Sequence, residues 1–318
     1  MAGATRNVTG VGDDATANRY VVTGAAGFLG SHLCEALLRR GHRVIGIDDL
    51  SSGRRANLAG FARHPGLSFR EADVHDGIPV HGQVDGVFHL IEPTPAAWRP
   101  EDVATRLPPL PTGIGVAAEF ARRRRCRLLL VVAAGEDYED PFDAAAGTEL
   151  TGIDTDDDDV RVARLFHAYG PRMEPEDEPT VMRLLLQAVT GQPMVVDGDG
   201  EQTRGFCFVS DLINGMLRLF RSNLLGVPVD LGDPHLHRIA DVVDAIQCST
   251  GSATAVEYRP RRLAEVRQVR PDMTLAAERL GWAPRVPLGS GLATTAGWLR
   301  GELGPTVGHR PSMELRTA

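Results

Sequence analysis

The stretch Thr23-Gly24-Ala25-Ala26-Gly27-Phe28-Leu29-Gly30 follows a short apolar run, Arg19 to Thr23, and opens a segment whose apolar stripe is Leu29, Leu33, Ala36 and Leu37. Strand, glycine-rich turn and helix in that order restrict the fold more than any other feature of the chain. Gly24 permits a tight turn, Gly27 lets a pyrophosphate approach the backbone, and Gly30 lets helix and strand pack closely. The first N–H groups of such a helix have no partner within it and form an anion site. The spacing is G-x-x-G-x-x-G, looser than the G-x-G-x-x-G fingerprint of dinucleotide sites. Ala26, Phe28 and Leu29 lie inside the turn and join the three glycines as candidate cofactor contacts.

Gly41 ends the helix, and a buried strand, Arg43 to Ile47, follows. Further strands are predicted at Leu67 to Arg70, Gly86 to Leu90 and Leu128 to Val132, with a helix from about Gly113 to Arg125 before the last. This alternation argues for an α/β, Rossmann-like, doubly wound parallel sheet. Ala133 to Asp159 has little to bury and reads as a loop. Order resumes with a strand at Val160 to Phe166, a helix from Thr180 to Thr190, a Gly/Asp turn at Asp197 to Gly200 and a helix from Ser210 to Phe220. The expected organisation is a tail over 1–18, a cofactor-binding domain over 19–168 with an acidic loop at 136–159, and a smaller C-terminal α/β substrate-binding region over 169–300. That region is partly interleaved with the sheet, and 301–318 reads as a second tail.

Asp48 stands 18 residues beyond Gly30, where a carboxylate accepts hydrogen bonds from an adenosine ribose or simply ends the strand in a solvated turn. Asp49 follows it. An acid here disfavours a 2′-phosphate and so favours NAD over NADP, while Arg54 and Arg55 nearby keep NADP open.

All 34 cationic side chains are arginine, and the chain contains no lysine. Chemistry that needs an ε-amine is thereby excluded. The formal net charge of −8 argues against a nucleic-acid or membrane-surface partner. Between Glu136 and Glu178 stand 15 acidic residues against three arginines. Cys34, Cys126, Cys207 and Cys248 are widely spaced, so no zinc knuckle or disulfide framework is indicated and a cytoplasmic setting is expected. No apolar run has membrane-spanning length, and no signal peptide is read at the N-terminus. His235-x-His237 has metal-ligand spacing without a supporting carboxylate or cysteine cluster, so no metal site is assigned.

From Arg19 to Trp298 the chain resembles the extended short-chain dehydrogenase/reductase family, in its branch of NAD-dependent sugar-nucleotide epimerases, dehydratases and above all UDP-glucuronate decarboxylases. The residues that carry the resemblance are Val22 to Gly30, Asp48 to Arg54, Asp73-Val74 and His89-Leu90, then Arg161 to Met173, Asp197 to Asp211, Arg270 to Asp272 and Leu280 to Trp282. The resemblance implies NAD as cofactor, Asp73 and Val74 beside the adenine, and Leu90 within the cofactor site. It also implies Arg172, Arg204 and Arg270 toward the substrate, the last two on the diphosphate of a nucleotide sugar, and a homodimer. Arginine, a planar and permanently charged fork, suits phosphate oxygens.

The family's chemistry uses a Tyr-x-x-x-Lys pair and a Ser or Thr at the preceding strand end. Here Tyr20, Tyr138, Tyr169 and Tyr258 precede no lysine, and Val132, Ala133 or Ala134 stands where the hydroxyl is expected. The stretch from Pro141 to Val160 is too short for the helix that normally carries the pair. Glu92, Glu136, Asp137, Tyr138 and His167 are surrogate acid–base candidates near the substrate end, and Glu92, held by the strand before it, is the best positioned of them. Two functional readings follow: an atypical enzyme of secondary metabolism that works with these substitutes, and a non-catalytic NAD-binding scaffold or regulatory partner.

Overall fold

The computed structural model describes residues 17–90, 112–134, 159–174, 179–260 and 270–304. Seven parallel strands form the main sheet: β1 (Arg19–Thr23), β2 (Arg43–Asp48), β3 (Leu67–Glu71), β4 (Gly86–His89), β5 (Arg127–Ala133), β6 (Val160–Leu165) and β11 (Pro228–Leu231). Their order across the sheet is β11-β6-β5-β4-β1-β2-β3. The chain winds outward from β1 in one direction through β2 and β3, and in the other through β4, β5 and β6. β1 and β4 therefore flank the switch point, where doubly wound sheets bind ligands at the carboxyl ends of their strands.

These strands are apolar on both faces because helices cover both. One face packs α1 (Phe28–Arg39), α4 (Val209–Arg221) and α6 (Thr274–Leu280) over Val22, Phe88, Leu129 and Leu231. The other packs α2 (Thr112–Arg124) over Val21, Ile45, Val87 and Leu128. A third core lies outside the sheet, where α3 (Pro179–Thr190), α5 (Ile239–Thr250) and α7 (Leu288–Leu303) enclose Met182, Leu185, Val242, Ile246, Leu292 and Ala296.

The remaining strands are short pairs: β7 (Ala168–Tyr169) with β10 (Cys207–Phe208), β8 (Met194–Asp197) with β13 (Val256–Arg259), and β9 (Thr203–Arg204) with β12 (His237–Arg238). The major elements fall within a residue or two of their predicted positions. Two boundaries differ. Helix α7 runs to Leu303, three residues into the expected tail, because Leu299 is buried against its neighbours. Asn18, assigned to the N-terminal tail, is tied in: its carbonyl accepts from the Arg43 N–H at 2.8 Å and its amide donates to the Tyr20 hydroxyl at 2.9 Å. The acidic loop at 136–158 lies outside the described residues.

Candidate cofactor and substrate site

The glycine turn joins β1 to α1 at the switch point. Gly24 has φ +68°, a left-handed conformation that glycine adopts without strain. A Cβ on Gly30 would stand 1.9 Å from the Gly24 carbonyl oxygen, so no side chain fits there. Gly27 caps the helix with extended backbone, no side chain bonds the helix start, and the first turn contains no acid. The N–H groups of Phe28, Leu29 and Gly30 are therefore left to an anion arriving at the strand ends. These observations fit the diphosphate of a dinucleotide.

Asp48 closes the turn from β2. Its carboxylate accepts the Ala26 N–H at 2.9 Å and the Leu50 N–H at 2.8 Å. Burial raises its pKa, against the pull of those N–H donors. A carboxylate offers about four acceptor positions, so ribose hydroxyls can still be received. The Ala26 carbonyl accepts the Arg54 N–H at 3.0 Å and the Asn57 side-chain amide at 2.9 Å. Asp49 turns outward to the Ser51 N–H and hydroxyl. The loop after β2 is thus laced onto the glycine turn, and Asn57, which carries no recognisable signal in the sequence, is one of its fasteners.

Asp73 caps a short 3₁₀ turn by accepting the His75 N–H at 2.8 Å, with Val74 buried behind it. At the end of β4, Nδ1 of buried His89 lies 2.8 Å from the Thr23 hydroxyl across the β1–β4 register. Burial, with a smaller contribution from His75, lowers the His89 pKa to about 4, so the ring is neutral at physiological pH. Leu90 continues from it, packed against the α1 side of the sheet. The twelve candidate cofactor residues therefore lie on the turn after β1 and at or just beyond the carboxyl ends of β2, β3 and β4.

The substrate-side residues divide. His167 follows β6 with φ +27°, a conformation that disfavours most side chains. Its Nε2 lies 3.5 Å from Nη1 of Arg204 on β9. Gly205 packs so closely on the segment after β11 that a Cβ would meet the Asp233 carbonyl at 2.2 Å. Arg270 is exposed, and the two residues after it meet the same segment. The ring of Pro271 abuts Gly232, and the Asp272 N–H donates to Asp230 at 2.8 Å. Asp230 is in turn gripped by Arg164, through Nε at 2.7 Å and Nη2 at 3.0 Å.

Arg172, expected from the resemblance to face the substrate, lies against α1. Its guanidinium binds Glu35 of α1 at 2.5 Å and stacks over Phe61, because the left-handed backbone at φ +68° directs it back toward α1. Burial opposes ionisation of Glu35, but hydrogen bonding and charge from Arg172, with Arg39, outweigh it and hold the carboxyl below its usual range. Glu92, Glu136, Asp137 and Tyr138 lie outside the described residues.

The described tyrosines are Tyr20, Tyr169 and Tyr258. Tyr20 sits at the amino end of β1, Tyr169 is fully buried with its hydroxyl on the Leu288 carbonyl at 3.2 Å, and Tyr258 is exposed on β13. Among the described residues no three His, Cys, Asp or Glu side chains gather as a metal site. His235 instead bonds Asp233 at 2.9 Å. No helix of the described residues is long and apolar enough to cross a membrane.

Sequence models of two groups match the chain: the NAD dependent epimerase/dehydratase family over residues 20–105, and GDP-mannose 4,6 dehydratase over 154–295. UDP-glucuronic acid decarboxylase 1 of Xenopus tropicalis is 33% identical over 313 residues, covering 90% of this chain and 73% of that protein. UDP-glucuronic acid decarboxylase 4 of Arabidopsis thaliana is 33% identical over 303 residues, covering 86% of this chain and 67% of that protein. Among solved structures, UDP-glucose 4-epimerase of Thermotoga maritima with UDP-glucose superposes with a TM-score of 0.78 at 24% identity, over 90% of this chain and all (100%) of that one. UDP-glucuronic acid 4-epimerase of Bacillus cereus, in complex with UDP-glucuronic acid and NAD, gives 0.73 at 23% identity, over 90% and 100% of the two chains. At these identities the structural likeness establishes the fold.

Proposed function

Since the chain belongs to the extended short-chain dehydrogenase/reductase family, in its NAD-dependent epimerase/dehydratase branch, we propose that it binds NAD on the glycine turn and a nucleotide sugar against Arg204 and Arg270. We assign it an epimerase- or decarboxylase-type activity carried out with residues other than the family's Tyr and Lys. Bound NAD supplies a reversible hydride acceptor at the carbon being oxidised. The chain's own residues must then bind the diphosphate, orient the sugar and move a hydroxyl proton.

The observation that carries this reading is the 3.5 Å approach of His167 Nε2 to Arg204 Nη1. A guanidinium has donors only, so the imidazole nitrogen that faces it is the unprotonated one. A diphosphate arriving at Arg204 draws the guanidinium to itself through charge-assisted bonds, and we assign the imidazole beside it to take a proton from a sugar hydroxyl. Glu92, Glu136 and Tyr138 remain proposed partners in the same step.

The purified protein is expected to release NAD on denaturation, read by absorbance and mass, or to gain thermal stability when NAD is added. Failure of both overturns the cofactor assignment. With UDP-glucuronate, turnover followed by product mass should fall about 10²- to 10⁴-fold in His167→Asn, and an unchanged rate removes His167 from the chemistry. The non-catalytic reading is favoured by the absence of lysine together with the placement of Tyr20, Tyr169 and Tyr258. NAD and UDP binding without turnover of any sugar nucleotide would establish it.

A further inference from the structure

The corner of the site where β2 and β3 end carries two arginines, and each is held by a carboxylate. Arg54 lies on the glycine turn through its own backbone, and its Nη1 binds Glu174 Oε1 at 2.5 Å, 120 residues away in sequence. Arg55 pairs with Glu71 and stacks over Phe69, its Cζ 5.3 Å from the ring centre. Glu71 is the register partner of Asp48 on the neighbouring strand. A Cβ on Gly53 would stand 2.5 Å from the Asp48 carboxylate, so the segment bearing both arginines passes directly over it.

An acid at the end of the second strand meets the ribose hydroxyls of NAD, whereas an arginine nearby accommodates the 2′-phosphate of NADP. By sequence this corner is ambiguous, with Asp48 followed by Arg54 and Arg55. The tertiary structure adds two further acids to it. A 2′-phosphate would meet Asp48, Glu71 and Glu174 against Arg54 and Arg55, an excess of negative charge. The ribose diol of NAD carries no charge and meets no such repulsion.

We infer that Glu174, together with Glu71, is a cofactor-selecting residue: by holding and neutralising Arg54 and Arg55, the two acids bar a 2′-phosphate and make the site one for NAD. Glu174 does this from beyond β7, on the segment that also lays Pro171 against His32, at 2.8 Å, and Arg172 against Glu35. One of the two selecting charges is therefore brought in from the far half of the chain, the other from β3.

This inference rests on the dinucleotide reading above, and the test separates the two. Calorimetric dissociation constants for NAD and NADP are measured on the full chain, on Glu174→Gln, on Glu71→Gln and on Glu174→Gln with Arg54→Leu. The wild type is expected to favour NAD. Each single neutralisation should raise NADP binding relative to NAD roughly three- to tenfold, the size of one charge interaction at a partly exposed site. Adding Arg54→Leu should cancel the gain in Glu174→Gln. If the wild type binds NAD and both single variants keep its NADP-to-NAD ratio, the selecting role is overturned and the cofactor reading stands. If the wild type binds neither dinucleotide, both fall.

Discussion

His89 and His32 are histidines whose chemistry is altered by their surroundings. His89 is buried between β1 and β4, and His32 is held with its Nε2 on the Pro171 carbonyl at 2.8 Å. Burial lowers both pKa values from 6.5 to about 4. Between those values the unfolded chain binds protons that the native state refuses, so stability falls as pH drops through 6.5 toward 4 and is level above about 7. Each ring contributes on the order of 2–3 kcal/mol to that loss. Urea unfolding at pH 7.5 and pH 5 should show a marked destabilisation at the lower pH, smaller in His89→Gln. An equal loss in wild type and variant would show that His89 titrates normally. Neither burial was legible in the sequence, where a histidine after a strand and one on a helix carry no mark of what will cover them.

At the scale of elements, the C-terminal motifs that support the family resemblance prove to be fasteners between helices. The Asp211 carboxylate, on α4, accepts the Arg285 and Val286 N–H groups at 2.7 and 2.8 Å, and its carbonyl accepts the Trp282 indole N–H at 3.0 Å. Gly215, one turn further along α4, makes room for that indole: a Cβ there would stand 2.9 Å from Trp282 Cε2. Trp282→Ala should cost about 3–5 kcal/mol of stability, the usual loss for truncating a buried tryptophan, read from denaturant midpoints at constant slope. A loss below about 1 kcal/mol would mean that the indole is not packed as described. The helix and strand positions were readable because burial on one face or both imposes a period on the sequence. The two-residue strands β7, β9, β10 and β12 were not, since two residues carry no period.

For the whole molecule, the strand order makes the switch point, and the segment after β7 joins the second half of the chain to it. Arg172 and Glu35, both mostly buried at 19% and 22% side-chain exposure, form one tie of that junction, beside Pro171 with His32 and Glu174 with Arg54. A double-mutant cycle with Arg172→Met and Glu35→Gln is expected to give a coupling of roughly 1–3 kcal/mol, more than an exposed pair provides. A coupling near zero would place the junction elsewhere. Arg172 was read from sequence as a substrate contact because its motif belongs with the substrate half. Its backbone lies at φ +68° and its side chain meets Glu35 of α1, a contact the sequence did not mark.

By itself the sequence determined the sheet, the glycine turn and the carboxylate at the end of β2, because each depends on neighbours close along the chain: a run of apolar residues, a turn that only glycine can make, a fixed offset to the next strand end. It also determined that no lysine can act, since composition needs no geometry. The tertiary structure decided which polar side chains meet. His167 reaches Arg204 across 37 residues, Arg172 reaches Glu35 across 137 and Arg54 reaches Glu174 across 120. Such pairs depend on the direction in which each backbone delivers its side chain, and that direction is set by packing far from either residue.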